Sequence, residues 1–299
     1  MEKITVFAPA KVNLALDVVG LLPNGYHALD MVMQALTLGE RITLEKAPAL
    51  VLRLPGSEVP PDESNIAWKA AQAFLRYTKL STAAAITVEK HTPVQAGMGG
   101  GSADAAGVLF GLNELYGEQL GEKKLSLSEL CALGAPLGAD VPFALVGGTC
   151  RVKGVGDYLC PLPPLPACAF AVVMPAYGVS TPAAFRAFDA VEKPMHPDAA
   201  ALEAAVRAGS LEGVCAAAGN ALEAVGGAAE TPEIKAALRA NGALAALMTG
   251  SGAAVFGIFE NAQTAQKAAD ALRGRWPRVW TAAPVRGGPR AAAEDEMPL

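Results

Sequence analysis

The chain of 299 residues carries 24 Lys and Arg against 29 Asp and Glu, a net charge of −5. Hydrophobic residues make up 52% and charged residues 18%, which suits one large or two packed domains and argues against disorder. The acidic balance and the lack of a basic stripe with interleaved aromatics exclude a nucleic-acid surface, and no apolar run is long enough to cross a bilayer.

Taken in chain order, alternating apolar and polar residues predict strands over 4–8, 12–19, 31–38, 41–46 and 51–54, with Asn24-Gly25 as a turn signal. The N-terminus runs into the first strand without an apolar leader, which predicts a cytoplasmic protein. A helix is expected near 64–77, where Ala67, Ala70, Ala71, Phe74 and Leu75 form one stripe. A strand over 86–90 then leads into a glycine cluster. The helix leaving it places Ala105, Val108, Leu109, Leu112, Leu115 and Tyr116 on one face. Ser126 and Glu129 have capping-box spacing at the start of another helix. Four prolines within 161–166 mark a linker or a rigid edge between domains. Beyond them come a strand over 169–174, alanine-rich helices within 181–218, and a helix over 232–240 with Pro232 in its first turn. Apolar runs over 245–249 and 254–259 flank a glycine-serine turn, Asn261 caps a helix ending near Gly274, and 278–285 is the last strand. The tail over 287–299 lacks periodicity and is expected to fray. Interleaved strands and helices in both halves predict an α+β fold with non-consecutive sheet pairing.

The glycine cluster carries the most chemistry. Pro93, Val94, Gln95, Ala96, Gly97, Met98, Gly99, Gly100, Gly101, Ser102 and Ala103 join strand to helix, and four glycines leave backbone N–H groups open to a ligand. The helix start adds unpaired N–H groups and the positive end of its dipole, so the segment suits an anion, above all a phosphate chain. Ser102 and Asp104 stand near the expected N-cap. A Walker loop is excluded because no Lys-Ser or Lys-Thr follows the glycines. A dinucleotide fingerprint is excluded because its third glycine position holds Ser102 or Asp104.

Four further groups could do chemistry, and each also has a plain structural reading. Lys11, in A-P-A-K-V-N-L at 8–14, is an edge residue reaching solvent or a cation in a cleft. Gly25-Tyr26-His27 is a solvated turn or a substrate-binding loop. Asp140, in G-A-D-V-P at 138–142, stabilises a turn or acts as general base toward a hydroxyl. M-T-G-S-G at 248–252 would alone pass for a hairpin turn. The five cysteines (Cys131, Cys150, Cys160, Cys168 and Cys215) are odd in number and lack C-x-x-C spacing. Neither a disulfide framework nor a zinc site follows, and inert thiols are expected.

In this order, the A-P-A-K-V-N-L, glycine-loop, G-A-D-V-P and M-T-G-S-G segments resemble the GHMP kinases, and the likeness runs from about 5 to 285. The resemblance implies an N-terminal ribosomal-protein-S5-like domain over 1–160 that holds ATP with Mg²⁺. It also implies a C-terminal α/β-sandwich domain over 161–286, with the acceptor alcohol in the cleft between. Lys11 and Asp140 would be the catalytic pair, residues 93–103 would wrap the triphosphate, and Asn65 and Lys90 would meet the nucleoside. The P-N-G-Y-H turn and the long G-M-G-G-G-S-A-D-A-A spelling further imply an acceptor that is a cytidine-diphosphate sugar alcohol of isoprenoid synthesis. Asn13, Tyr26, His27, Thr181 and Phe185 would contact it. The implied protein is a monomer or homodimer without nucleic-acid or membrane partners. The chain departs from the family pattern where Ala103 stands for a serine and Met98 for a leucine, which implies tuned phosphate affinity with the loop's role kept. A mevalonate-type GHMP kinase and a nucleotide sensor that has lost transfer stand as the alternatives.

Overall fold

The computed structural model describes residues 1–293, and its strands form two sheets. β1 (Lys3–Leu21) and β2 (His27–Ala47) pair antiparallel, joined by a turn in which Gly25 takes a φ of +82°. Each is one long strand where the sequence predicts two short ones. Pro9 and Gly39 read locally as breaks, yet they face each other across the ladder, and β1 passes them with a bulge between Pro9 and Lys11.

β3 (Val51–Arg53) and β4 (Ala83–Glu89) complete one side of this sheet, while β5 (Thr149–Gly154) and β6 (Tyr158–Pro161) extend it along the first part of β2. Over it lie α1 (Ile66–Thr78), α2 (Gly100–Leu115), the short α3 (Gly117–Leu120), α4 (Leu127–Gly134) and α5 (Val141–Val146). α4 opens on the expected capping box: Ser126 Oγ accepts from Glu129 N, and the Glu129 carboxylate accepts from Ser126 N at 2.8 Å. Val6, Ile42, Leu44, Phe74, Leu109 and Leu112 fill the space between sheet and helices.

Residues 162–168 form neither strand nor helix. After them β7 (Ala169–Val173) lies at the centre of the second sheet. α6 (Thr181–Phe188), α7 (Ala199–Arg207), α8 (Leu211–Ala217) and β8 (Gly219–Asn220) follow. Then come α9 (Thr231–Ala240), β9 (Ala245–Met248), β10 (Val255–Phe259), α10 (Ala262–Arg273) and β11 (Val279–Ala282), giving the order β11-β7-β10-β9. α9 and α10 cover one face of it through Ile234, Leu238, Ala265 and Ala269, while Phe170, Phe256 and Ile258 on the other face pack with Val12, Leu14 and Leu36.

The tail departs from expectation over its first part. Arg290–Ala291 form β12, antiparallel to Val6 and Phe7. Glycines let it pass closely, since a Cβ on Gly288 would stand 2.1 Å from Leu145 O. Residues 294–299 of that expectation lie outside the described residues. No helix among the described residues is long and apolar enough to cross a membrane.

Two features of β1 position the site. Its far edge pairs with β12 at Val6 and Phe7 and with β8 at Ala15 and Leu16, leaving a gap between. In that gap Lys11 N–H donates to Met98 O at 3.0 Å and Asn13 N–H donates to Thr249 Oγ1 at 3.1 Å. The glycine loop and the M-T-G-S-G turn therefore dock side by side on one strand.

Candidate active site

A cleft of about 610 Å³ opens at that gap. Lys11 and Asn13 line it from β1, Asn65 from the start of α1, Asp140 from the start of α5, and Thr181 and Phe185 from α6. Lys90, the loop residues from Pro93 to Ser102, and Gly250 and Ser251 of the second turn complete it. Most residues that the sequence pointed to thus meet in one cavity.

The loop owes its shape to its glycines. Gly97 and Gly99 hold φ of +74° and +70°, and Gly99 is the N-cap of α2 without a side-chain capping bond. Ser102 and Asp104 stand close to that N-cap, as expected, inside the first turns of α2. The first N–H groups of α2 thus lack a side-chain acceptor, the condition for anion binding. A Cβ on Gly97 would stand 2.1 Å from Thr249 O, and one on Gly99 3.1 Å from Lys11 Cγ and 3.8 Å from Asp140 Oδ2. The loop is pressed between the second turn and a charged pair. Thr249 Oγ1 also donates to Gly97 O at 3.1 Å, so M-T-G-S-G is a clamp as well as a hairpin turn. Gln95 takes a left-handed φ of 56°, uncommon without glycine, and its carbonyl accepts from Ala253 N–H at 3.4 Å.

Lys11 is 6% exposed, so the solvent-reaching alternative does not hold. Its Nζ donates to Asn13 Oδ1 at 2.7 Å and stands 3.5 Å from Asp140 Oδ2. A buried ammonium needs such partners. Asp140 sits at the N-cap of α5, yet its side chain makes no capping bond, so it does not serve as a turn stabiliser. Its carboxylate faces Lys11 with 32% of the side chain exposed.

Of the other expected residues, Asn65, Lys90 and Thr181 line the cleft while Ala103, Tyr26 and His27 do not. Asn65 spends its amide on protein, with Oδ1 accepting from Ala67 N–H at 2.9 Å and Nδ2 donating to Pro60 O at 2.8 Å. Lys90 Nζ is held 2.8 Å from both Glu40 Oε1 and Asp104 Oδ2. Ala103 does not line the cleft; it is 1% exposed and packs in the core, so its methyl replaces no phosphate-facing hydroxyl. Tyr26, two-thirds exposed, and His27 also lie outside the cleft lining. The His27 ring stacks on Phe185 at 4.8 Å, and its Nε2 is 2.7 Å from Asp189 Oδ1. Thr181 Oγ1 is 2.7 Å from Ser251 Oγ, joining α6 to the second turn.

Sequence reasoning missed Glu40 and the ion pairs that join it and Asp104 to Lys90. Burial pushes the Asp104 carboxyl up to about 7, against the pull of the Lys90 ammonium and with Glu40 adding to the rise. Burial also draws the Lys90 ammonium down, but the two carboxylates outweigh it and hold it above the ordinary lysine range. The available signal was a carboxylate set among small or apolar neighbours, L-G-E-R-I in β2 and S-A-D-A-A in α2.

Residues 65–148 match the GHMP kinases N terminal domain, and 199–278 match the GHMP kinases C terminal domain. A 4-diphosphocytidyl-2-C-methyl-D-erythritol kinase of Carboxydothermus hydrogenoformans is 41% identical over 266 residues, 88% of this chain and 90% of its own. One from Lachnoclostridium phytofermentans is 40% identical over 272 residues, 90% of this chain and 92% of its own. A crystal structure of 4-(cytidine 5'-diphospho)-2C-methyl-D-erythritol kinase superposes with a TM-score of 0.78 at 35% identity, over 95% of this chain and 99% of that one. With both domain signatures, this α+β fold and relatives of that identity over nearly its whole length, the chain belongs to the GHMP kinases, in the 4-diphosphocytidyl-2-C-methyl-D-erythritol kinase family.

Proposed function

We propose that this chain transfers the γ-phosphoryl group of ATP to the 2-hydroxyl of 4-diphosphocytidyl-2-C-methyl-D-erythritol, in isoprenoid precursor synthesis by the non-mevalonate route. One observation carries the reading: a buried Lys11 ammonium stands 3.5 Å from the Asp140 carboxylate, against Gly99 at the uncapped mouth of α2.

Such transfers need little covalent work from a protein; positioning and charge stabilisation dominate. Residues 93–102 would hold the β- and γ-phosphates on backbone N–H groups. Asp140 orients the acceptor hydroxyl and takes its proton, the new O–P bond forms as the bond to the ADP oxygen breaks, and ADP leaves. Lys11 supplies positive charge to the oxygens of the moving group, and Asn13 fixes that ammonium beside the acceptor hydroxyl. Thr181, Phe185, Tyr26 and His27 would meet the cytidine part, the stacked His27 and Phe185 rings offering it a flat face. Asn65 and Lys90, committed to protein partners, would shape the nucleotide end without reaching for the base. The nucleotide would thus rest on residues 1–160 and the acceptor in the cleft between them and 161–286.

Among the described residues no three His, Cys, Asp or Glu side chains are grouped to hold a metal. That fits Mg²⁺, which usually takes phosphate oxygens, waters and one or two carboxylates in place of an all-protein cage. Ser102, in the cleft at the mouth of α2, would offer it a hydroxyl, and it would neutralise phosphate charge.

ADP release measured with the diphosphocytidyl acceptor and with mevalonate tests the reading. Turnover with the first alone is expected; turnover with mevalonate alone refutes it. Binding of ATP with no product from either would instead mark a nucleotide sensor. Asp140→Ala is expected to lower kcat by about 10²- to 10⁴-fold while ATP binding by calorimetry survives. Near-normal turnover in that variant removes Asp140 as the base.

A further inference from the structure

A charged trio lies beneath the glycine loop and takes no part in the transfer. Glu40 of β2 is fully buried and does not line the cleft. Its Oε2 accepts the His91 N–H at 2.7 Å, while its Oε1 accepts from Thr92 Oγ1 and, at 2.8 Å, from Lys90 Nζ. Residues 91 and 92 are the incoming end of the loop. From the same ammonium, bonds run to the Asp104 carboxylate at 2.8 and 3.0 Å and to Gly100 O at 3.4 Å, at the outgoing end inside α2. Both ends of the loop are thus tied to one buried carboxylate through one ammonium. The fit is close: a Cβ on Gly100 would stand 2.5 Å from Thr92 Oγ1 and 3.1 Å from Glu40 Oε1.

Burying three charges is costly, and well-packed apolar residues in their place often hold a fold as well or better. Stability alone therefore does not account for the trio, whereas its position at the stem of the loop does. We propose that Glu40, Lys90 and Asp104 are positioning residues that close this stem. They set the spacing of the loop's N–H groups for the polyphosphate, acting through residues 91, 92 and Gly100; Lys90 and Asp104 border the cleft, whereas Glu40 stands behind it. The proposal deepens the nucleotide reading above and rests on it.

Glu40→Gln tests it, because Glu40 has no route to the nucleotide. The change keeps side-chain size, removes a charge, and takes away the acceptor of the His91 N–H. The KM for ATP is expected to rise roughly tenfold or more, the scale of a lost charge-assisted hydrogen bond. The KM for the alcohol and kcat are expected to stay within about twofold, since the bonds of Glu40 go to residues 90, 91 and 92 at the stem and none reaches Lys11 or Asp140. KM does not depend on how much of a sample is folded, so lost stability alone leaves it unmoved. If Glu40→Gln does not fold, Glu40→Asp, which keeps the charge but shortens its reach to His91 and Lys90, is read in its place with the same expectation. An unmoved ATP KM in a folded variant, or a joint rise of both KM values, overturns the proposal. Wild-type turnover separates the two readings: none at all sinks both, while normal turnover with an unmoved variant sinks the trio alone.

Discussion

Replacing Gly99 with alanine tests the link between loop and catalytic pair. Gly99 has a φ of +70°, where an L side chain costs about 1–2 kcal/mol. The new Cβ would lie 3.1 Å from Lys11 Cγ and 3.3 Å from Lys11 Cε, inside ordinary carbon contact of about 3.5–4.0 Å. Either the lysine stem or the start of α2 must give by a few tenths of an ångström. The stem has little room, because Lys11 is buried and its ammonium is held at 2.7 Å by Asn13. Strain therefore passes to the position of the ammonium, and misplacement by about 1 Å can cost about a hundredfold in rate. Gly99→Ala is expected to melt roughly 2–8 °C lower. Its kcat should fall about ten- to a hundredfold, with a smaller change in the KM for ATP. Gly97→Ala is the contrast, since its Cβ would meet Thr249 O at 2.1 Å, a backbone atom that cannot swing aside. That variant should lose nucleotide affinity and more stability, because the loop and its clamp are forced apart. Gly274→Ala, with nothing within 4 Å of its added methyl, controls for the substitution itself. Steady-state ADP release and thermal melts read all three. A Gly99→Ala enzyme that melts lower yet keeps the wild-type kcat would refute the argument that this contact sets the catalytic geometry.

Three further outcomes follow from buried groups. Thr249→Val removes the acceptor of the buried Asn13 N–H and the donor to Gly97 O, so urea unfolding should show a loss of about 1–3 kcal/mol. Asp104 has a folded pKa of about 7 against 3.8 unfolded, so between these values the folded state holds the extra proton and stability falls as pH rises. The stability difference between wild type and Asp104→Asn should therefore move against the wild type from about pH 4 to about pH 7 and then level off; a flat difference would mean the carboxyl is ionised throughout. Burial pushes the thiols of Cys150 and Cys168 up to about 12 and raises those of Cys131 and Cys215, so native protein should alkylate slowly at these four near pH 7.5 and fully in denaturant. Fast labelling of Cys150 in folded protein would contradict its placement.

How much of the site was legible depended on the range of the interaction. Gly97, Gly99 and the helix after them could be read because a turn without Cβ atoms is a local property of the chain. Lys11 and Asp140 could be named but not placed, since nothing within a few residues of either says that 129 positions of chain return to bring them within 3.5 Å. The Lys90 environment was not legible for the same reason. A lysine at the end of a strand looks solvated until Glu40, 50 residues earlier, and Asp104, 14 later, are seen to enclose it. β1 and β2 were cut in two because Pro9 and Gly39 break a local pattern, while the ladder that carries both strands past them is a pairing between distant segments. Ala103 is the instructive miss, since only the sheet packed on α2 shows which way it turns. Four residues before Gly107 on one helix, it shares the stripe where an added Cβ on Gly107 would meet Ile42 Cδ1 at 2.4 Å and Ala8 Cβ at 2.9 Å. That stripe faces the sheet. Ser102, one residue and about 100° away, faces the cleft. Helical phase together with these sheet contacts turns the hydroxyl at 102 toward the cleft and the methyl at 103 into the packing, and a serine at 103 would have to bury its hydroxyl against that same sheet.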